Sequence, residues 1–352
     1  MSLRARITEL GVGIKRRLTG VYDAWLTRTA IATRTEIWQA LDSGRHVWKP
    51  NQIHLGTVNF CNAKCVFCGQ HTFKRPSGTM TMELFRKLAD EAYHMGMRTM
   101  DFTPTLGDPL LDKHLIERAR YARSIGFTEL HMTTNGILLD KDDLCLQVVK
   151  CFDRINVSMG GMNREDYKEA YHVDKFHDVH FGVSRMLLEN RKIIPRCRIH
   201  LFLRSGSRPR EILDSLAFRL LYNMGGLTYE FTNLYDNWGG SVKPEGLVGD
   251  MQMRTAKEKV GVPCLSLYQF FVEYDGNVRL CGCRFLDKED DGLVVGNVGV
   301  DRLYEILSPK RIAPFLAKFK DGGKLADVCV DCTLYRPMTK GFIKKACTTC
   351  SH

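Results

Sequence analysis

The sequence predicts an α/β fold: a parallel sheet covered by helices and curved into a partial or full barrel, followed by a smaller unit stapled by cysteines. Three observations predict it. Short apolar runs alternate with amphipathic, helix-length segments about six times between residues 53 and 232. The alternation stops at Gly239-Gly240. Seven of the thirteen cysteines lie beyond residue 260.

Residues 1–50 read as a helical extension. Ile7, Leu10, Ile14 and Leu18 recur at helical spacing with basic residues between them. Such a helix packs on the main unit or, as the alternative, lies on a membrane surface. The barrel spans 51–240, with strands expected at 53–58, 99–104, 129–134, 154–158, 198–203 and 227–232. Helices are expected at 80–94, capped by Thr79 or Thr81, and at 113–125, 141–150, 180–192 and 210–223. Asn135-Gly136 stops the third strand. The second unit spans 241–352 and contains a hairpin at 274–280 that turns on Asp275-Gly276-Asn277.

The 51 basic and 40 acidic residues leave a net charge of +11. Apart from Lys15-Arg16-Arg17 the basic residues are spread along the chain, which reads as a solvated basic surface. Nucleic-acid binding is not expected, because no aromatic stacking module accompanies the charge. No apolar run is long enough to span a bilayer, and the first residues lack a secretory stretch, so the expected location is cytoplasmic. Disulfides are not expected there. Cysteines at short regular spacing then point to metal binding or catalysis.

Cys61, Cys65 and Cys68 form C-x3-C-x2-C in the loop after the first strand. That is the carboxyl end of the sheet, where α/β folds place ligands. Three thiolates hold three irons of a four-iron cube and leave one iron for another ligand. Zinc is the alternative, although zinc sites usually pair C-x2-C units closed by two further ligands.

This motif, including the aromatic Phe67 before its last cysteine, resembles that of the radical S-adenosylmethionine (SAM) superfamily. The resemblance implies a partial (β/α)6 radical SAM barrel and a [4Fe–4S] cluster whose open iron chelates the amino and carboxylate groups of SAM. It implies that one electron splits SAM to methionine and a 5′-deoxyadenosyl radical, which takes a hydrogen atom from the substrate. It also implies a one-electron donor such as flavodoxin or ferredoxin. Thr105-Leu106-Gly107-Asp108-Pro109 resembles the family's Gly-Gly-Glu-Pro segment beside the SAM amino group, with Leu106 and Asp108 as departures. Gly107 stays available for close backbone approach. Thr134-Asn135-Gly136 resembles the Thr-Asn-Gly strand end beside SAM. Ser158 matches a residue that binds the SAM ribose or carboxylate, and Gly160 departs from the family's aspartate. Arg204, at the end of the fifth strand, is a candidate partner for the SAM carboxylate, or else a surface arginine.

Cys264, Cys281, Cys329 and Cys332 resemble the auxiliary-cluster unit of the SPASM/twitch branch of that superfamily. Four cysteines close one further [4Fe–4S] cluster, so at least one auxiliary cluster is expected. After Cys332 the chain departs from the fuller pattern, and Cys283, Cys347 and Cys350 are left over. They are a second cluster's ligands, a zinc half-site or free thiols. Cys283 is the candidate catalytic thiol, a hydrogen donor to a substrate radical, with a packed small residue as the alternative.

An auxiliary cluster that accepts an electron gives oxidation. A thiol that returns a hydrogen atom gives epimerisation. The expected substrate is a small sugar-like or aminocyclitol metabolite of the kind met in natural-product biosynthesis. Candidate substrate residues are Tyr229 and Glu230 on the sixth strand, and Asp236, Asn237 and Trp238 just after it. A glycine-rich hinge with a packed Trp238 is the alternative for that segment. Two other classes stay open: a peptide- or protein-modifying maturase, and a non-catalytic iron–sulfur electron carrier.

Overall fold

A computed structural model describes residues 20–43, 50–282, 284–286 and 292–342. All six expected barrel strands form: β1 (Gln52–Leu55), β2 (Thr99–Asp101), β3 (Glu129–Thr134), β4 (Arg154–Met159), β5 (Arg198–Leu203) and β6 (Leu227–Phe231). They are parallel and lie side by side in chain order. The first two are shorter than expected, ending at Leu55 and Asp101, and Thr103 and Pro104 beyond β2 line a cavity. The two-residue period sorts the side chains. Leu130, Met132, Ile155, Val157, Met159, Ile199, Leu201 and Leu203 are buried. The alternating His131, Thr133, Asn156, Ser158, His200 and Phe202 stand on the other face, and several of them line a cavity.

Helices fill the crossovers: α1 (Met82–His94), α2 (Leu115–Ile125), α3 (Leu144–Cys151), α4 (Arg164–Tyr171), α5 (Phe176–Asn190), α6 (Pro209–Asp214) and α7 (Leu216–Met224). Thr81 caps α1, its side chain accepting from the Leu84 N–H at 3.1 Å. Such a cap stabilises by about 1 kcal/mol. The single helix expected over 210–223 is two. Ser215 is extended, ends α6, and caps α7 through the Phe218 N–H. The sequence reading places no element where α4 forms. Asn163 caps it, and Tyr167, Ala170 and Tyr171 bury one face at helical spacing. Between α1 and α2, Asp112 and Arg118 make a fully buried ion pair at 2.8 Å. Removing either partner of such a pair costs about 3–5 kcal/mol.

After β6 come two short strands, β7 (Leu234–Tyr235) and β8 (Gln252–Met253), paired with each other. The expected hairpin is β9 (Phe270–Val272) and β10 (Asn277–Leu280), followed by β11 (Val294–Asn297). Gly276 turns it at φ +89°. This hairpin does not stand apart. β9 runs parallel to β1, pairing His54 with Phe271 and Leu55 with Val272, so one nine-stranded sheet runs from β11 through β1 to β6. β6 and β11 are its two edges, so the barrel is partial.

Ile7, Leu10, Ile14 and Leu18 lie outside the described residues. Residues 20–32 and Arg34–Asp42 are helical. They clamp onto the C-terminal part: the Trp38 indole donates to the Gly261 carbonyl at 2.8 Å, and Lys257 pairs with Asp23 at 2.6 Å. Among the described residues no helix is long and apolar enough to cross a membrane.

Candidate active site

The cysteine loop docks on α4. Lys64 and Val66 donate their backbone N–H groups to the carbonyls of Tyr171 and Ala170, each at 3.0 Å. The Phe67 ring stacks on Tyr235 at 4.8 Å and meets Tyr171 edge-on at 5.6 Å. Neither tyrosine was among the candidates. Tyr171 sits in the missed helix; the signal was its Asn163 cap with buried positions at i, i+3 and i+4.

Cys61, Cys65 and Cys68 line one cavity of about 490 Å³, together with Gly107, Asp108, Thr134, Asn135, Ser158 and Arg204. The seven residues matched to SAM contacts therefore converge, since Phe67 lies on the same wall. Several of them hold the loop itself. Gly107 has φ +112°, and a Cβ there would lie 2.8 Å from the Val58 carbonyl oxygen. Its close approach is to the cysteine loop. Asp108 is buried and accepts from the Leu110 N–H (3.0 Å), the Asn135 N–H (2.7 Å) and the Thr134 hydroxyl (2.9 Å). This carboxylate, a departure from the family's glutamate, locks the ends of β2 and β3 together. Burial pushes its pKa up to about 6 against those hydrogen bonds. Asn135 donates its side-chain N–H to Asn62 at 2.7 Å and to the Cys61 sulfur at 3.5 Å. Ser158 shares a 2.7 Å hydrogen bond with the Tyr171 hydroxyl.

Burial pushes the Cys61 thiol up to about 12, with Asp108 adding to the shift. Burial, then Cys68 and Cys61, push Cys65 well above the ordinary thiol range. Burial also raises Cys68. Three thiolates so placed repel one another unless a cation compensates them, which is what a metal centre supplies. The Gln70 N–H points at the Cys68 sulfur from 3.4 Å. Arg204 lies over the Phe67 ring at 5.4 Å, and its Nε is buried without a hydrogen-bond partner. That unmet donor on the cavity wall fits a bound carboxylate.

The proposed substrate residues are placed differently from one another. Tyr229 turns toward α7, meeting Phe218 edge-on at 5.0 Å and Tyr222 at 5.9 Å, away from the cavity. Alternation puts Glu230 on the opposite face of β6, and it is not among the cavity-lining residues. Asp236 and Trp238 line the cavity. The Trp238 indole donates to the Phe67 carbonyl at 2.9 Å, however, and the Arg284 guanidinium lies 4.5 Å from its ring centre. The ring is packed rather than open for stacking, which corresponds to the hinge alternative. Asn237 donates to the Asp331 carbonyl at 3.2 Å, and Asp236 pairs with Arg284. His54, Asp101, Thr133, Asn156 and Gln269 complete the polar wall, and none of them was a candidate. The first four lie one each on β1 to β4 and Gln269 lies just before β9, so no single local motif marks them.

Cys264, Cys281, Cys329 and Cys332 line a second, smaller cavity. Cys281 has φ +67°, a strained conformation for a non-glycine residue. The Arg336 and Leu334 N–H groups each point at a sulfur, Cys264 and Cys332, from 3.4 Å. Burial, with Cys281 nearby, raises Cys264 to about 11, and burial raises Cys332. Among the described residues no three His, Cys, Asp or Glu side chains converge tightly enough for a single metal ion. The three-cysteine set and the four-cysteine set each supply one thiolate for every protein-held corner of a four-iron cube. Cys283, Cys347 and Cys350 lie outside the described residues. Cys145, Cys151 and Cys197 are buried in the core, as expected.

A partial barrel with an open three-cysteine cradle, joined to a four-cysteine cradle, defines an iron–sulfur enzyme that activates SAM. Residues 55–192 match the radical SAM superfamily, and residues 264–333 match SPASM, an iron-sulfur cluster-binding domain. The chain is a radical SAM enzyme with a SPASM auxiliary domain; its cofactors are SAM, a [4Fe–4S] cluster and auxiliary iron–sulfur clusters. It is 30% identical to the probable GTP 3′,8-cyclase of Saccharolobus islandicus over 132 residues, which are 38% of this chain and 42% of that one. The corresponding protein of Methanothermobacter marburgensis is 24% identical over 47% of this chain and 52% of its own length. The chain thus spans about half or less of the curated relatives it matches. Among solved structures, Streptococcus suis SuiB bound to SAM superposes with a TM-score of 0.54 at 12% identity, covering 84% of this chain and 81% of that one. BtrN in complex with SAM and 2-DOIA gives 0.51 at 17% identity, covering 80% and 92%. These likenesses are of fold.

Proposed function

We propose that the enzyme removes a hydrogen atom from a small polyhydroxylated or aminocyclitol-like metabolite and oxidises it. The observation that carries this reading is the polar wall of the cavity, where His54, Asp101, Thr133, Asn156 and Gln269 face the three cysteines. A volume of about 490 Å³ is that of a small-molecule site, and hydroxyl groups satisfy such a wall. BtrN, named with 2-DOIA, and the GTP cyclases, named for a nucleotide, are consistent with small substrates. SuiB is named with a precursor peptide, which keeps a peptide substrate as the competing reading.

In this reading residues 51–240 handle SAM and 241–352 handle the second cluster. Cys61, Cys65 and Cys68 hold the cluster that, with SAM, supplies the hydrogen-abstracting radical. Arg204 binds the SAM carboxylate, and the Ser158–Tyr171 pair offers a hydroxyl on the same wall. Asp108 and Asn135 keep the strand ends against the loop. Oxidation of a hydroxyl-bearing carbon radical to a carbonyl releases one proton and one electron. His54, kept below its usual pKa chiefly by burial, is a neutral imidazole on the wall that takes the proton. Cys264, Cys281, Cys329 and Cys332 would hold a cluster with no open corner for a substrate, and such a cluster would supply an acceptor for that electron. Epimerisation, with Cys283 as donor, is the alternative outcome.

The test is anaerobic reconstitution, then SAM and dithionite with a panel of deuterated aminocyclitols, sugars, GTP and peptides. Deuterium in 5′-deoxyadenosine from a polyol supports the reading. Transfer from peptides alone overturns it. Product that gains solvent deuterium without loss of two hydrogens replaces oxidation by epimerisation.

A further inference from the structure

Three consecutive residues touch both cysteine cradles. The Trp238 indole N–H is bonded to the carbonyl of Phe67, the neighbour of Cys68, at 2.9 Å. The Asn237 amide is bonded to the carbonyl of Asp331, the neighbour of Cys332, at 3.2 Å. Asp236 accepts the Trp238 backbone N–H at 3.0 Å and pairs with Arg284. The Arg284 guanidinium covers the Trp238 ring at 4.5 Å and shares the cavity wall with Cys61, Cys65 and Cys68. Both members of the Asp236–Arg284 pair are largely buried, with 13% and 17% of their side chains exposed.

The backbone of this segment is strained to keep that position. Trp238 has φ +47° and Gly239 φ +62°. A Cβ at Gly239 would lie 2.6 Å from Leu286, two residues beyond Arg284. A Cβ at Gly69, the residue after Cys68, would lie 3.3 Å from the Trp238 ring. Close packing on both sides therefore holds the tryptophan between the 284–286 segment and the cysteine loop. The positive charge of Arg284 acts on both Cys68 and Cys332. Arg204, the other cation on this wall, acts on Cys65 and Cys68.

We infer that Asp236, Asn237, Trp238 and Arg284 form a coupling bridge: positioning residues that fix the two iron–sulfur sites relative to each other and place one shared cation between them. Reducing either cluster adds a negative charge to it. A buried cation within reach of both favours the reduced form of each, because charge and hydrogen bonding near the sulfurs set the potential. The paired Asp236 carboxylate tempers that effect. The bridge is independent of which substrate the cavity takes.

The test is an EPR-monitored redox titration with dithionite of the full chain reconstituted with iron and sulfide. The two signals are assigned with a Cys61→Ala/Cys65→Ala/Cys68→Ala variant, which keeps only the auxiliary cluster. Arg284→Gln shifts both midpoint potentials to more negative values with iron content unchanged. Asp236→Asn, which leaves the cation unbalanced, shifts both to more positive values. Arg284→Lys keeps the charge and stays near the parent values. A shift confined to one cluster, or potentials unmoved in both Arg284→Gln and Asp236→Asn, overturns the inference. If Arg284→Gln loses iron, Asp236→Asn decides alone: two upward shifts sustain the bridge, and any other result removes it.

Discussion

The SAM-side cradle takes its three thiols from eight consecutive residues, Cys61 to Cys68, whereas the auxiliary cradle gathers four from a stretch running from Cys264 to Cys332. The first is a local loop seated on one helix, α4, and braced by the ends of β2 and β3. The second depends on the hairpin, the short helix Leu265–Tyr268 and the helix Asp327–Val330 reaching one place. A local cradle survives loss of the distant one, while the distributed cradle depends on how the hairpin joins the sheet. The largest effect separates the two. Cys65→Ala abolishes 5′-deoxyadenosine formation and lowers iron by about four per chain, at four irons per cube. Colorimetric iron and chromatographic detection of the nucleoside check this, and undiminished 5′-deoxyadenosine breaks the assignment of the loop. Cys332→Ala also loses about four irons. It retains 5′-deoxyadenosine formation with dithionite but loses oxidised product. Retained product would remove the auxiliary cluster from the reaction.

Arg204→Gln sharpens the picture of the open corner. A charge-assisted hydrogen bond contributes about 1.5–3 kcal/mol, so SAM binding weakens about 10- to 100-fold by calorimetry on the oxidised, reconstituted protein. Equal affinity in the variant would return Arg204 to a packing role over Phe67. Asp108→Ala has a smaller effect, on folding. It strands the Thr134 hydroxyl and the Asn135 and Leu110 N–H groups in a buried place, at about 1–3 kcal/mol for each unsatisfied donor. A stability loss of about 3 kcal/mol in denaturant titration is expected, with the auxiliary EPR signal unchanged. A loss under about 1 kcal/mol would show that water replaces the carboxylate.

The same contrast explains what could be read from the chain. The three-cysteine loop was legible because its chemistry is contained in its spacing, and the six strands were legible because short apolar runs between amphipathic, helix-length segments mark them. Helix α4 was not, since five of its eight residues are charged and its buried Tyr167, Ala170 and Tyr171 show only as a short spacing. The edge that β9 joins was not legible either. Pairing with β1 is a choice among distant partners, and the apolar run Phe270–Val272 fits any buried edge. Asp236, Asn237 and Trp238 were recognised as residues able to bond and stack. Which groups they meet depends on Phe67 and Asp331, 171 and 94 residues away from Trp238 and Asn237. Tyr235, stacked on Phe67, carries no signal beyond its neighbours.

The smallest expected effect lies on the seam between the two halves. His54 is on β1, the strand paired with β2 on one side and with β9 on the other. Asp101 faces it from β2 at 3.6 Å, and Gln52 from its own strand. Burial lowers its pKa from the ordinary 6.5; Asp101 opposes that shift and His131 adds to it. A histidine depressed in the folded state binds fewer protons there than in the unfolded chain. Its contribution to stability is therefore complete above 6.5 and is lost as the pH falls below that value toward the folded pKa. His54→Gln keeps a polar, uncharged group at the seam and removes the titration. The melting temperature of the parent should fall more steeply between pH 7.5 and pH 6 than that of the variant. The variant's product formation should also lose part of its dependence on pH while 5′-deoxyadenosine formation does not. Parallel curves in both measurements would mean that His54 neither titrates in this range nor receives the substrate's proton, and the polar wall would then act by hydrogen bonding alone.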